Sequence, residues 1–96
     1  MQRRLDMPKQ NGESPPPKDY SCRSQYGPLT MVIQSVGATQ ICLLYVYGLG
    51  VNLKDEIKGT DKNEAKRRVI EIAQSVLKKI GEPTEYDPAW DCRDLF

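Results

Sequence analysis

Five cations crowd one short stretch of the chain: Lys58, Lys62, Lys66, Arg67 and Arg68. Lys62 and Lys66 stand one helical turn apart, just after Asp61, and Asp61-x-x-Glu64 has the spacing of a capping box, which satisfies free amides at a helix start. That end of a helix carries unpaired N–H groups and the positive pole of the macrodipole, both of which favour an anion. Cations placed there repel one another and oppose the dipole, each by a few tenths of a kcal/mol or somewhat more. A sequence shaped for folding alone puts acids in that turn. The chemistry this spacing points to is capture of a phosphate-rich ligand, with an ordinary solvated basic surface as the competing reading.

Other chemistries lack their parts. The chain has no histidine, so Cys-His and Ser-His-Asp arrangements are absent, and with them the commonest general base near neutral pH. No catalytic residue, small-molecule substrate or cofactor is expected, and the chain does not read as an enzyme. Cys22, Cys42 and Cys92 are an odd number at wide spacing with no C-x-x-C pair, which argues against a disulfide framework and against structural zinc or any other metal site.

The frame that must hold the cations is small. Ninety-six residues, 39% hydrophobic and 28% charged, make one domain with a modest core. Net charge is +1, yet residues 1–81 carry 13 Lys and Arg against 8 Asp and Glu, whereas residues 82–96 carry Arg93 against five acids. A basic body suits an anionic partner, and an acidic tail screens it or keeps it soluble. The longest apolar stretch, Ile41 to Val51, is about half of the roughly 20 residues a membrane-spanning helix needs. The N-terminus has charge but no apolar h-region behind it, so it does not read as a secretory signal. The expectation is an intracellular protein, cytoplasmic or nuclear, with no membrane partner.

Residues 1–19 are polar, with Pro8, Gly12 and Pro15-Pro16-Pro17, and read as a flexible or partly helical segment in which Gln2 to Asp6 could form a last helical turn. Residues 20–81 read as an α+β domain. Leu29 to Val36 is rich in β-branched residues and predicts a strand; Ile41 to Tyr47, apolar almost throughout, predicts the central one. Val51 to Ile57 alternates and predicts a third, antiparallel to the second across Gly48-Leu-Gly50. Lys18 to Tyr26 is an open alternative for a further strand, in which case residues 29–40 become partly loop. From Asp61 a helix follows, with a stripe of Ala65, Val69, Ile72, Ala73, Val76 and Ile80, and Gly81 and Pro83 end it. Residues 82–96 form an acidic tail in which Asp87-Pro88 predicts a short helix, and Trp90, Leu95 and Phe96 either fold back or dock a partner.

Gly59-Thr-Asp-Lys62-Asn-Glu-Ala65-Lys66, continuing through Arg-Arg-Val-Ile-Glu-Ile-Ala73 to Leu77, resembles the last helix of a double-stranded RNA-binding domain, where a glycine-bearing loop precedes Lys-Lys-x-Ala-Lys. Gly27-Pro28 is similar to the opening of that family's minor-groove loop, and Lys9-Gln-Asn-Gly12 and Pro15 to Tyr20 are similar to the end of its first helix and the proline-bearing lead into its first strand. The resemblance covers roughly residues 9–80, most specifically 59–77. Asn63 stands where the second lysine is usual, Thr30 where a histidine is, and the first helix is short or missing. The implied fold is a three-stranded antiparallel sheet with a long C-terminal helix on one face.

Two functions are implied. One is a module for double-stranded RNA that reads A-form shape through phosphates, using Lys62, Asn63 and Lys66 with Lys58 and Arg67. The other is a domain of the same fold turned to a protein partner or homodimer through a strand edge or the aromatic tail, as in some members of the RNA-silencing and RNA-editing machinery.

Overall fold

The computed structural model describes residues 19–94. The expected N-terminal segment, apart from Asp19, and the Leu95-Phe96 end of the tail lie outside the described residues. Five strands and one helix follow in the order β1 (Tyr20–Tyr26), β2 (Leu29–Val36), β3 (Ile41–Gly48), β4 (Val51–Lys58), α1 (Lys62–Lys79) and β5 (Asp91–Asp94). The strands form one antiparallel sheet in the spatial order β4-β3-β2-β1-β5.

This corrects the expected three-stranded sheet with a C-terminal helix: there are five strands, and a strand follows the helix. The first cause is the Gly27-Pro28 turn. Tyr26 pairs directly with Leu29, and Gly27 sits at φ +58° ahead of a proline, as a two-residue loop with glycine in its first central position requires. Both segments around it are therefore strands, and residues 29–36 contain no loop. In β1 the small polar residues Ser21, Ser24 and Gln25 disguise an alternation in which Tyr20, Cys22, Ser24 and Tyr26 are buried. The second cause lies in the tail, where Asp87-Pro88 caps no helix. Residues 82–90 run without regular structure, and Cys92 then pairs with Cys22 in the ladder between β5 and β1.

α1 lies on one face of the sheet over β2 and β3. A helix about 10 Å across covers about two strands spaced near 4.8 Å, which is the coverage seen. Leu29, Met31 and Ile33 of β2 and Cys42, Leu44 and Val46 of β3 meet Ala65, Val69, Ala73, Val76 and Leu77, all buried. Leu77 takes the place expected for Ile80, which is 46% exposed. The chain leaves the helix there, with Glu82 N–H donating to the Leu77 carbonyl at 2.9 Å and Gly81 at φ +77°, the pattern of a Schellman end. Beyond it, residues 82–90 cross the same face over β1, so β4 is left without a covering layer of its own.

The extra strand reverses the chain once more before the helix. In a three-stranded meander the helix starts at the end of the sheet that holds the first turn. With four strands before it, α1 starts at the opposite end.

Candidate interaction surfaces

At the start of α1, Asp61 accepts the amides of Asn63 and Glu64 on its Oδ1 at 2.8 and 3.0 Å. A carboxylate of the chain itself thus holds the position an external anion would take. Glu64 does not complete a reciprocal box; its carboxylate accepts from Arg67 Nη2 at 2.6 Å. This bond, with the Glu64 charge behind it, raises the pKa of the exposed Arg67 guanidinium. Arg67 also reaches Glu71 at 3.6 Å, and Arg68 lies 3.3 Å from Asp55 and 3.8 Å from Glu71. The two lysines rest on rings: Lys62 Nζ is 4.9 Å from the Tyr20 centroid and Lys66 Nζ 5.7 Å from that of Trp90. Such contacts stabilise the fold by about 0.5–1 kcal/mol each at exposed sites, offsetting the unfavourable placement of cations in the first turns. Lys62, Asn63, Lys66 and Arg67 are brought together on those turns, whereas Lys58 ends β4 on the other face of the sheet, opposite Ile41.

The Gly27-Pro28 turn is far from this group. Tyr20 marks the near end of β1, its hydroxyl donating to the Thr60 carbonyl at 2.8 Å just before the helix. Burial, with the contact to the Cys42 thiol at 3.4 Å, pushes the Tyr20 phenol well above its ordinary range. Tyr26 marks the far end: its hydroxyl donates to the Thr84 carbonyl at 2.7 Å and accepts from Gln74 Nε2 at 3.1 Å, in the last third of α1. Tyr86 packs edge-on against Tyr26 with centroids 5.3 Å apart and lies so close over Gly27 that a Cβ there would run into its ring. The turn and the helix start, which would act together on one duplex, therefore belong to opposite ends of the sheet, and the tail roofs the turn.

That tail is fastened at several points. Ser24 Oγ donates to the Ala89 carbonyl at 2.6 Å, Trp90 packs against the core, and Cys22 and Cys92 form a disulfide, their Cα atoms 4.0 Å apart and 70 residues apart in sequence. The disulfide overturns the expectation drawn from the odd cysteine count and wide spacing. Only the pairing of β5 with β1, which no local pattern announces, brings the two residues opposite each other. Cys42 keeps a buried thiol.

The face of the sheet away from α1 missed notice in the sequence. On β3 it carries Ile41, Leu43, Tyr45 and Tyr47, all half-buried, with Val32 and Val36 of β2 beside them. Antiparallel strands with one solvated face normally alternate apolar and polar residues; a strand apolar on both faces is normally covered on both. Among the described residues, no element lies over this face. Polar and charged side chains border it, with Arg23 and Arg93 on one side and Lys54, Glu56 and Lys58 on the other. Lys54 Nζ is 6.0 Å from the Tyr45 centroid. A cleft of about 300 Å³ with mixed lining opens between α1 and β4, where Leu53 is 43% exposed beside Ile72 and Val76, with Arg68, Glu71 and Lys79 around them.

Among the described residues, no group of His, Cys, Asp and Glu could hold a metal ion, and no helix is long and apolar enough to cross a membrane. No family model, no curated protein and no solved structure matches this chain.

Proposed function

We propose that this chain is a non-catalytic protein-interaction module whose docking surface is the open face of the sheet. The observation that carries the reading is β3, whose outward residues Ile41, Leu43, Tyr45 and Tyr47 form an unbroken apolar and aromatic row with no layer over it among the described residues. Contiguous apolar surface of this kind marks a contact site. The strand edge and the aromatic tail have weaker support as docking points. β4 carries Lys54, Asp55, Glu56 and Lys58, charges that guard an edge against pairing, and Trp90 is folded back.

The double-stranded RNA reading draws less support from the geometry. The cations of the helix start are stacked on rings or paired with carboxylates, Asp61 fills the amide end, and the Gly27-Pro28 turn faces the other way. An intracellular setting would hold Cys22 and Cys92 as thiols, because disulfides persist mainly in oxidising compartments.

Titration with the hydrophobic dye bis-ANS, on the wild-type chain and on Leu43→Arg, tests the docking face. At a dilution where the chain is monomeric, the wild type is expected to bind the dye, and Leu43→Arg to lose most of that binding while keeping its circular dichroism. Equal binding by both would contradict the assignment.

A further inference from the structure

Resting on the docking face just proposed, we infer that its occupant is a second copy of this chain, packed face to face with the strands of the two sheets running across a common two-fold axis. The inference comes from the distribution of charge at the margins of the apolar row.

Two ladder rows cross the middle of the outer face. One runs Asp91, Arg23, Val32, Tyr45, Lys54, and the next runs Arg93, Ser21, Gln34, Leu43, Glu56. A two-fold axis lying between the sheets, perpendicular to the strands and midway between these rows, exchanges one row for the other. Tyr45 then meets Leu43 of the second copy, and Tyr47 meets Ile41. At one margin Lys54 meets Glu56 of the second copy; at the other, Asp91 and Arg93, which lie 3.4 Å apart within one chain, meet the Arg93 and Asp91 of the second copy. No like charges are opposed. Arg23 meets Ser21, and Lys58 meets Asn52. An axis parallel to the strands gives a poorer match, setting Lys54 over Val32 and Glu56 over Gln34.

An isologous contact needs one patch to complement itself, and an apolar centre rimmed by charges that pair under a single two-fold does so. Two sheets packed face to face stand about 10 Å apart with strands within about 30° of alignment, so the row-to-row matches hold best near the axis. The axis crosses every strand between the two rows, so Tyr45–Leu43, Lys54–Glu56 and Asp91–Arg93 all lie beside it and set the register, whereas Tyr47–Ile41 and Lys58–Asn52 lie farther along the strands.

Sedimentation equilibrium on the full chain, with charge swaps, is the test. Wild type is expected to dimerise and Leu43→Arg to be monomeric; Tyr45→Glu, a second variant on the same face, should also be monomeric. Lys54→Glu alone and Glu56→Lys alone should each weaken the dimer about tenfold, since each opposes like charges at two symmetric places. Lys54→Glu combined with Glu56→Lys should restore it. The paired swap Asp91→Arg with Arg93→Asp should likewise recover what Asp91→Arg alone loses, and it probes a margin that an edge-to-edge dimer through β4 would leave untouched.

A dimer indifferent to Leu43→Arg and Tyr45→Glu would overturn the inference, as would a double swap no better than its single changes. A monomeric wild type whose bis-ANS binding is abolished by Leu43→Arg would overturn the second copy while leaving the docking face standing for another protein. A monomer whose dye binding ignores Leu43→Arg would remove both.

Discussion

Along β3, the two faces of one sheet are built from nearly the same kinds of residue and treated very differently. On the inner face, Leu44 is 1% exposed beneath α1; its neighbour Leu43 points the other way and meets nothing comparable among the described residues. Along β3 the two faces are equally apolar. Apolar character in a strand therefore reports how much cover the strand is built for, and here the chain's described layers supply cover to one side only.

The sharpest way to test this contrast is to shorten each leucine in turn. Leu44→Ala is expected to lower unfolding free energy by about 2–5 kcal/mol, as a cavity in a packed core does. Leu43→Ala, at a dilution where the chain is monomeric, should cost well under half as much. Urea denaturation of both variants reads the difference, and equal losses would mean the outer face is packed too.

Reduction of the Cys22–Cys92 bond comes next in size. The bond closes a long loop and fastens the tail to β1, so a thiol reductant should reduce stability by roughly 2–4 kcal/mol, read as a lower urea midpoint. The inner face over β1 depends on this tail, whereas the outer β3 row does not. Dye binding at the outer face should survive mild reduction that leaves the fold intact.

A smaller effect is set by pH. The Tyr20 phenol is raised by burial, so its neutral form is favoured in the folded state. Its contribution is whole below the ordinary tyrosine value near 10 and is lost as pH rises above it, by at most about 1.4 kcal/mol for each pH unit. Denaturation midpoints at about pH 8 and pH 11 should differ more for wild type than for Tyr20→Phe. Equal slopes would show that the ring is more solvated than its contacts imply.

Much of the inner face was legible in the sequence. The helix start at Asp61, its end at Gly81, and the strands from Leu29, Ile41 and Val51 follow from caps, glycine turns and β-branched runs. β1 was harder to read because serines and a glutamine interrupt it, and its buried serine is satisfied by a carbonyl from the distant tail. β5 was unreadable locally. Four residues of sequence Asp-Cys-Arg-Asp become a strand only because Cys22 and the edge of β1 wait 70 residues upstream.

The basic cluster around Lys62 was visible, but its neighbours were not: Tyr20 and Trp90 lie beneath its lysines through tertiary contacts that spacing does not encode. The outer-face signal was present in Ile41 to Tyr47, a run without alternation. Read as the mark of the central strand, a place the five-stranded order gives to β2 instead, it also asked what covers the second side.

The most direct measurement is sedimentation equilibrium of the unmodified chain across a wide concentration range at moderate salt. The account predicts a mass rising toward twice 10.9 kDa, with Leu43→Arg held at the single-chain value. A wild-type mass of 10.9 kDa at every concentration would contradict it.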